Sequence, residues 1–428
     1  MGLEDFCVSV VGVGWFEMVE LHSGVDVSEG LSAFVADVVV SMGRVERRCN
    51  AEVYVAGMLA QGDRKSLQPM VERQGGTLAA YESLQQFVAD SPWDPVGVLK
   101  AVAERVCPQI DVLAWILDDT GYVKQGKHSP GVKRQYSGTL GKTGNCQIGV
   151  SVHAVGACGT VPLGWSLYLP EEWCANTDEA IERRRKAKIP KDVQFKTKPQ
   201  LALALAQASA GWQIAQAPIL GDAAYGINTK LRTGLHDAGL TYVLSIDRNI
   251  TIFDPNTEFT VPARTSNKGR APTRLVADRS ARSVDAFVCD LHPDAYEQLV
   301  YRDTADDDDP GLVSRFACQR VIAAHPVMKD CCEPREEWLI VEWPEGHDKP
   351  TDYWLSNLPA DTPHEELTRL ARLRWMIELD YKQLKGHLGL DHYEGRSWLG
   401  WHHHAALVTV AHGWLTEQKL NPFHPRPD

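Results

Sequence analysis

The chain has 428 residues, 44% hydrophobic and 23% charged, with a formal net charge of −12. That is the composition of a soluble globular protein with ample core, and no apolar run is long enough to span a bilayer. The ten cysteines sit at irregular positions, with Cys331-Cys332 adjacent and no CxxC pair, which suits free thiols in a reducing cytosol better than a disulfide framework or a zinc site.

The charge is unevenly spread. Residues 1–118 carry −9, residues 119–200 carry +6 and residues 201–428 carry −9. A basic middle in an acidic chain can form a local positive groove for phosphates. A solvated surface is the other reading, and charge alone does not choose.

Residues 1–25 read either as a strand-like N-terminal extension or as an artefact of an upstream start codon. The first 43 residues contain no Lys or Arg, so Cys7 to Phe16 lacks the basic flank of a signal peptide. Residues 28–105 read as mostly helical. Ser28 is a candidate cap for a helix to about Met42; Arg44 to Gly62 carries Arg44, Arg47 and Arg48; Leu78 to Val88 and Val96 to Val106 follow. This segment is either a DNA-end-binding module or a plain helical bundle.

From Asp111 the periodicity changes. Val112 to Leu117 is a continuous apolar run ending at Asp118-Asp119-Thr120, which reads as a buried strand with carboxylates at its exit. A basic turn follows, with Lys124, Lys127, His128, Lys133 and Arg134. Gln147 to Val155 and Val161 to Leu169 read as a strand pair, and Gln200 to Trp212 as a helix. Ala217 to Gly221 is a short strand ending in Asp222; a helix to about Ala238 and a strand over Leu240 to Ile246 come next. The order is that of a mixed α/β sheet in which two strands deliver an acid at their ends.

Residues 248–360 read as short strands around Val276, Phe287, Leu299 to Arg302, Phe316 to Ala323, Trp338 to Trp343 and Tyr353 to Leu358. Asp306 to Asp309 reads as a solvated turn, because the Gly and Glu spacing of an EF-hand is absent. Pro363-His-Glu-Glu366 then opens a late helical region.

Arg374 to Lys385 reads as one helix. At about 100° per residue, Arg374, Glu378, Lys382 and Lys385 share one arc. Leu370, Leu373, Ile377, Leu384 and Leu388 form an apolar stripe beside it. Asp380 points away from the Glu378 face and is expected in solvent. Glu378 with Asp118 and Asp222 makes a candidate catalytic and metal-binding triad, since carboxylates converging on a sheet edge can hold two Mg²⁺ ions for in-line phosphoryl displacement. Mn²⁺ is the alternative ion. Arg374, Lys382, Lys385, Lys124, Lys127 and Arg396 are candidate DNA- and phosphate-binding residues. Other readings stay open. Asp119 competes with Asp118 as first acid, and Asp391 or Glu394 competes with Glu378 as third ligand. The acids are also explicable as ordinary surface residues. His402-His403-His404 with His412 invites a structural zinc reading, although consecutive helical residues point in different directions. Trp398 and Trp401 read as core.

Arg374-Trp-x-Ile-Glu378 followed by Lys385 resembles the signature around the catalytic glutamate of DDE transposases with a β-rich insertion. The Tyr that precedes the Arg by three residues in that signature is Ala371 here, and Tyr381 is a candidate substitute. The apolar run with Asp-x-Thr at 118–120 resembles the first-aspartate motif, and Leu220-Gly-Asp222-Ala-x-Tyr-Gly226 the second. Asp118-Asp-Thr-Gly-x-x-Lys-x-Gly-Lys-His-Ser, Gly141-Lys-x-Gly-Asn-Cys-Gln147 and Leu388-Gly-Leu-Asp-His-x-Glu-Gly-Arg-Ser-Trp398 are similar to bacterial transposases of the insertion-sequence 701 family.

The resemblance implies an α/β fold: an RNase H-like mixed-sheet catalytic core, a β-rich insertion before the last catalytic helix, and a helical N-terminal domain. The expected division is 1–108 helical, 109–250 first part of the core, 251–360 insertion, and 361–428 catalytic helix and C-terminal helices. It further implies a divalent-metal triad and double-stranded DNA partners, namely transposon ends and target. Work on two ends implies a homodimeric synapse. A cytoplasmic protein that joins the nucleoid when bound to DNA, with no membrane partner, is expected. Two alternatives remain: a domesticated nuclease or DNA-binding protein that no longer transposes, and a two-carboxylate hydrolase acting on sugars, which would need no metal.

Overall fold

The computed structural model describes residues 25–138, 141–263, 273–302, 312–329 and 333–420. The readings for residues 1–24, for the Asp306 to Asp309 turn and for Cys331-Cys332 lie outside the described residues. Two compact units form, one from residues 25–216 and 375–420 and the other from residues 217–374.

The first unit opens with helices α1 (Val25–Val38), α2 (Val45–Leu59), α3 (Leu67–Arg73), α4 (Leu78–Asp90) and α5 (Pro95–Val106). Helix α1 begins at Val25, so Ser28 lies inside it rather than ahead of its first turn. Thr77 caps α4 by accepting the Ala80 N–H, and Asp94 caps α5 ahead of Pro95. Each is a side-chain oxygen satisfying an orphan N–H of the first turn.

An antiparallel sheet follows, made of β1 (Val112–Val123), β2 (Lys133–Ser137), β3 (Lys142–Gly156) and β4 (Gly159–Leu167). The long β3 is its centre. It pairs with β1 along one edge, from Val112↔Gly156 to Val123↔Cys146, and with β2 and β4 in succession along the other. Strand β1 therefore does not end at Asp118. Thr120 and Tyr122 beyond the acid pair are buried. Both are β-formers, so alternation carries the strand five residues further. Helices α6 (Asp178–Lys186) and α7 (Lys198–Ala210) complete this stretch.

The second unit begins with β5 (Ile219–Gly221), α8 (Ala223–Gly226), α9 (Thr229–Asp237) and β6 (Tyr242–Ser245). β5 and β6 pair in parallel, the expected result of a helical crossover. Gly226 sits where an added Cβ would lie 1.8 Å from the Ser245 carbonyl oxygen. Only a residue without a side chain lets α8 approach β6 so closely.

The rest of this unit is strand-rich. It comprises β7 (Thr251–Phe253), β8 (Phe259–Thr260), β9 (Val276–Ala277), β10 (Arg282–Ser283), α10 (Val284–Cys289), β11 (Glu297–Arg302), β12 (Leu312–Ala323), α11 (Ala324–Met328), β13 (Glu336–Trp343) and β14 (Asp352–Ser356). β6, β14, β13 and β12 pair antiparallel in that order, giving a mixed sheet with the β5–β6 pair. The strand expected around Phe287 is instead helix α10. Ser283 caps it by accepting the Ala286 N–H, and Val284, Phe287 and Val288 are buried at helical spacing. A short apolar run around Phe287 suggests a strand, but three- and four-residue spacing decides for a helix.

Helix α12 (His364–Arg372) closes the second unit, and the chain returns to the first through a 3₁₀ turn, Leu373–Trp375. Helix α13 (Met376–Gly386) follows, then α14 (Trp398–Leu420). The late helix expected to be continuous is thus broken ahead of Met376. Arg374 lies in the turn.

Helix α14 is the hub of the first unit, packing on α2, α4, α5 and β4. It is buried nearly all round, as a helix apolar on every face must be. Among the described residues no helix is long and apolar enough to cross a membrane. Its histidines are separate core residues rather than one ligand set. His404 Nε2 donates to the Gly389 carbonyl and its Nδ1 accepts from the Tyr54 hydroxyl, at 3.1 and 2.9 Å. His402 donates to the Trp398 carbonyl, and both His403 nitrogens face carbonyls of Val88 and Trp93. The neutral imidazole satisfies the His404 partners, and burial pushes its pKa down to about 4.

Two outcomes follow from this packing. The unfolded chain protonates His404 near its ordinary pKa of about 6.5 and the folded chain only near 4, so stability is complete above 6.5 and falls as pH drops through that window. Urea titrations are expected to show that wild type loses about 2 kcal/mol more than His404→Gln between pH 7 and pH 5. Gly226→Ala is expected to cost about 1–3 kcal/mol through the clash with Ser245, read as a lower urea midpoint.

Candidate active site

In β1 the buried run Ala114 to Leu117 is followed by half-buried Asp118 and Asp119. Strand alternation sends these neighbours to opposite faces. Asp118 Oδ1 accepts the Asp119 backbone N–H at 2.7 Å. Asp119 Oδ1 accepts from Lys198 Nζ, in the first turn of α7, at 2.8 Å. Asp119 thus has its charge met by a lysine of its own unit.

Asp118 lies opposite Ser151 of β3, and directly opposed residues present their side chains on one face of the sheet. Ser151 Oγ shares a hydrogen bond of 2.7 Å with the hydroxyl of Tyr381, on α13. Burial pushes the Tyr381 phenol well above its ordinary pKa, and the Asp118 charge is the next cause. So α13 packs on this strand pair with Tyr381 beside Asp118. Glu378, one turn earlier, is exposed in the first turn of α13, where the helix dipole favours a carboxylate.

The cations are distributed in several ways. Lys385 Nζ donates to the Gly121 carbonyl at 2.8 Å and stands 5.5 Å from the Tyr122 ring centre, which ties α13 to β1. Burial lowers its pKa, with the Asp391 charge opposing. Lys124 donates to the Tyr393 carbonyl; burial lowers its pKa too, against Asp391 and Glu394. Lys124 and Arg396 line a polar cleft of about 510 Å³ together with Arg64, His128, Asp391 and Glu394. Lys127, Lys382 and Arg396 are exposed, and Arg374 is half-buried.

In the second unit, Asp222 follows β5 directly and caps α8. Its Oδ1 accepts the Ala224 and Tyr225 N–H groups at 2.9 and 3.3 Å. This matches the reading of an acid delivered by a short apolar strand.

Asp380 is not in solvent. It is 3% exposed, and its carboxylate accepts from Thr160 Oγ1 at 2.7 Å, from His153 Nδ1, and lies 2.8 Å from His412 Nε2. The signal was present: Ile377, Asp380, Tyr381 and Leu384 follow helical i, i+3, i+4, i+7 spacing, which puts Asp380 on the apolar stripe. Nothing in local spacing pointed to Lys198, 79 residues from Asp119.

Among the described residues no cluster of three or more His, Cys, Asp or Glu is preassembled for a metal ion. Asp118, Asp222 and Glu378 are nevertheless hard oxygen donors. Mg²⁺ commonly takes one or two carboxylates and completes its shell with phosphate oxygens and water. Asp118 and Glu378 of the first unit, and Asp222 of the second, are each oxygen donors of the kind such an ion takes.

Comparisons with known proteins agree with these motifs. A family profile described as "DDE superfamily endonuclease" matches residues 37–305, and one described as "Transposase DDE domain" matches residues 197–414. The chain is similar to a probable transposase for insertion sequence element IS701 from Microchaete diplosiphon, at 28% identity over 197 residues, 45% of this chain and 47% of the relative. It thus spans about half the length of that curated relative. With one profile covering well over half of its residues and the other about half, the chain belongs to the DDE superfamily of endonucleases and transposases.

Proposed function

We propose that the protein is a DNA transposase. It binds the terminal inverted repeats of its element, cleaves DNA at the element ends, and joins the freed 3′-hydroxyls to target DNA. The observation that carries this reading is Asp118 in β1 with Tyr381 and Lys385 of the Glu378 helix packed beside its strand, in a chain that two DDE profiles match. The chain's RNase H-like core would span residues 109–250 and 361–428, with residues 251–360 as the β-rich insertion and 1–108 as the end-binding helical domain.

Asp118, Asp222 and Glu378 would hold two Mg²⁺ ions, with Mn²⁺ able to substitute. When bound, such ions activate the attacking water or 3′-hydroxyl and stabilise the departing oxygen of an in-line displacement. The residues do the positioning. Lys198 meets the Asp119 charge, and Asp118 would serve as the first acid. Lys385 holds α13 to β1 through Gly121. Arg374, Lys382, Lys124, Lys127 and Arg396 would contact phosphates of the duplex, where each phosphate neutralised strengthens binding and steepens its salt dependence. Both chemical steps are phosphodiester displacements at one site, so no covalent protein–DNA intermediate is required. Two ends held together call for a homodimer.

The test is cleavage of labelled end oligonucleotides in Mg²⁺. Asp118→Asn, Asp222→Asn and Glu378→Gln are each expected to slow cleavage at least about a hundredfold, the scale of several kcal/mol of lost charge stabilisation. Cutting by all three variants would overturn the site, and loss of cutting in Asp119→Asn alone would move the first acid to Asp119. Chelation by EDTA is expected to abolish cleavage and added Mn²⁺ to restore it; activity that survives EDTA would favour a metal-free two-carboxylate hydrolase.

A further inference from the structure

Asp380 is a fully buried carboxylate that none of the steps above uses. It sits on the apolar stripe of α13, accepts hydrogen bonds from His153 on β3 and Thr160 on β4, and lies in ion-pair contact with His412 on α14. Burial pushes its pKa up, but the charges and hydrogen bonds of His412 and His153 outweigh burial and hold it below the carboxylate range. His153 continues the network, with Nε2 2.9 Å from Ser151 Oγ, and Ser151 reaches Tyr381 on α13 again. The loop of contacts thus leaves α13 at Asp380 and returns to it one residue later, on the face of the sheet that carries Asp118.

A buried charge network is a costly way to hold a helix, because replacing one with apolar side chains is often neutral or stabilising. What apolar packing does not supply is direction. Ile377, Leu384 and Leu388 are buried, but such contacts resist separation more than rotation about the helix axis. Hydrogen bonds to fixed partners on β3 and β4, with the ion-pair contact to α14, resist rotation. Glu378 lies about 200° around the axis from Asp380 at about 100° per residue. With a side-chain tip about 6 Å from the axis, a 20° rotation of α13 moves the Glu378 carboxylate by about 2 Å. Misplacement of about 1 Å can already cost a hundredfold in rate.

We infer that Asp380 is a positioning residue, which through His153, Thr160 and His412 fixes the rotation of α13, and through Ser151 and Tyr381 fixes that helix against Asp118. The inference rests on the reading of Asp118 and Glu378 as metal-binding carboxylates. It assigns Asp380 no contact with metal or DNA.

The test uses the whole chain with Asp380→Asn, Ser151→Ala and Asp118→Asn. Folding is read by circular dichroism and melting in EDTA, Mn²⁺ affinity by calorimetry in the presence of uncleavable end DNA, and DNA affinity in EDTA. Folded Asp380→Asn is expected to bind DNA as wild type does, to weaken Mn²⁺ binding about tenfold and to slow single-turnover cleavage about a hundredfold at saturating metal. Ser151→Ala keeps every contact of Asp380, so it tests the Tyr381 branch even if Asp380→Asn fails to fold, and is expected to weaken Mn²⁺ binding about threefold. Wild-type Mn²⁺ affinity and cleavage rate in the folded Asp380 variant, or unchanged Mn²⁺ affinity in Ser151→Ala, would overturn the inference. Unchanged Mn²⁺ affinity in Asp118→Asn would instead overturn the proposed site.

Discussion

The antiparallel pairing of β1 with β3 is the constraint on which the candidate site depends. It carries Asp118 and Asp119 into the interior of a strand, on opposite faces, and fixes Ser151 across from Asp118. Within the first unit, the neighbouring side chains reach Asp118 and Asp119 by way of these two strands. Lys198 meets Asp119, Tyr381 meets Ser151, and Lys385 bonds the carbonyl of Gly121 two residues beyond the acid pair. A one-residue slip of this register would exchange the two acids between faces and part Ser151 from Asp118. Eleven paired positions with buried side chains along much of both strands make such a slip costly.

The polar interior of the first unit is unusually specific. Four histidines of α14 are found at 402, 403, 404 and 412, and each has its own partners. They pin the hub helix to α2, α4 and the loop at Gly389 with directional bonds where apolar contact alone would allow sliding. The same logic applies at Asp380, where one carboxylate joins four elements. Under the proposed function such rigidity would help hold the carboxylates in place against an incoming polyanion, since repulsion between acid and phosphate would otherwise spread the site.

How much was legible in the sequence varies by residue. Asp222 was, because a short apolar strand followed by an acid and a small-residue turn leaves few alternatives, and the structure has Asp222 as the cap after β5. The β3–β4 pair was legible from alternation and the glycines at its turn. The end of β1 was misread because two adjacent acids and a glycine look like punctuation, while the pairing that sustains the strand comes from β3, more than twenty residues away in sequence. Asp380 was misread because a charged type was weighed above its helical position. Lys198 was invisible, since a contact between residues of such sequence separation leaves no local trace. The break at Leu373–Trp375 carries no Gly or Pro, so local propensity did not announce it.

Metal location tests the account most directly. Crystals of the protein with uncleavable end DNA and Mn²⁺ allow the ions to be placed by anomalous scattering. The account predicts Mn²⁺ within about 2.0–2.3 Å of carboxylate oxygens of Asp118, Asp222 and Glu378, with a DNA phosphate oxygen completing the shell. Mn²⁺ held instead by Asp119, Asp391 or Glu394, with Asp118 and Glu378 away from any ion, would contradict it.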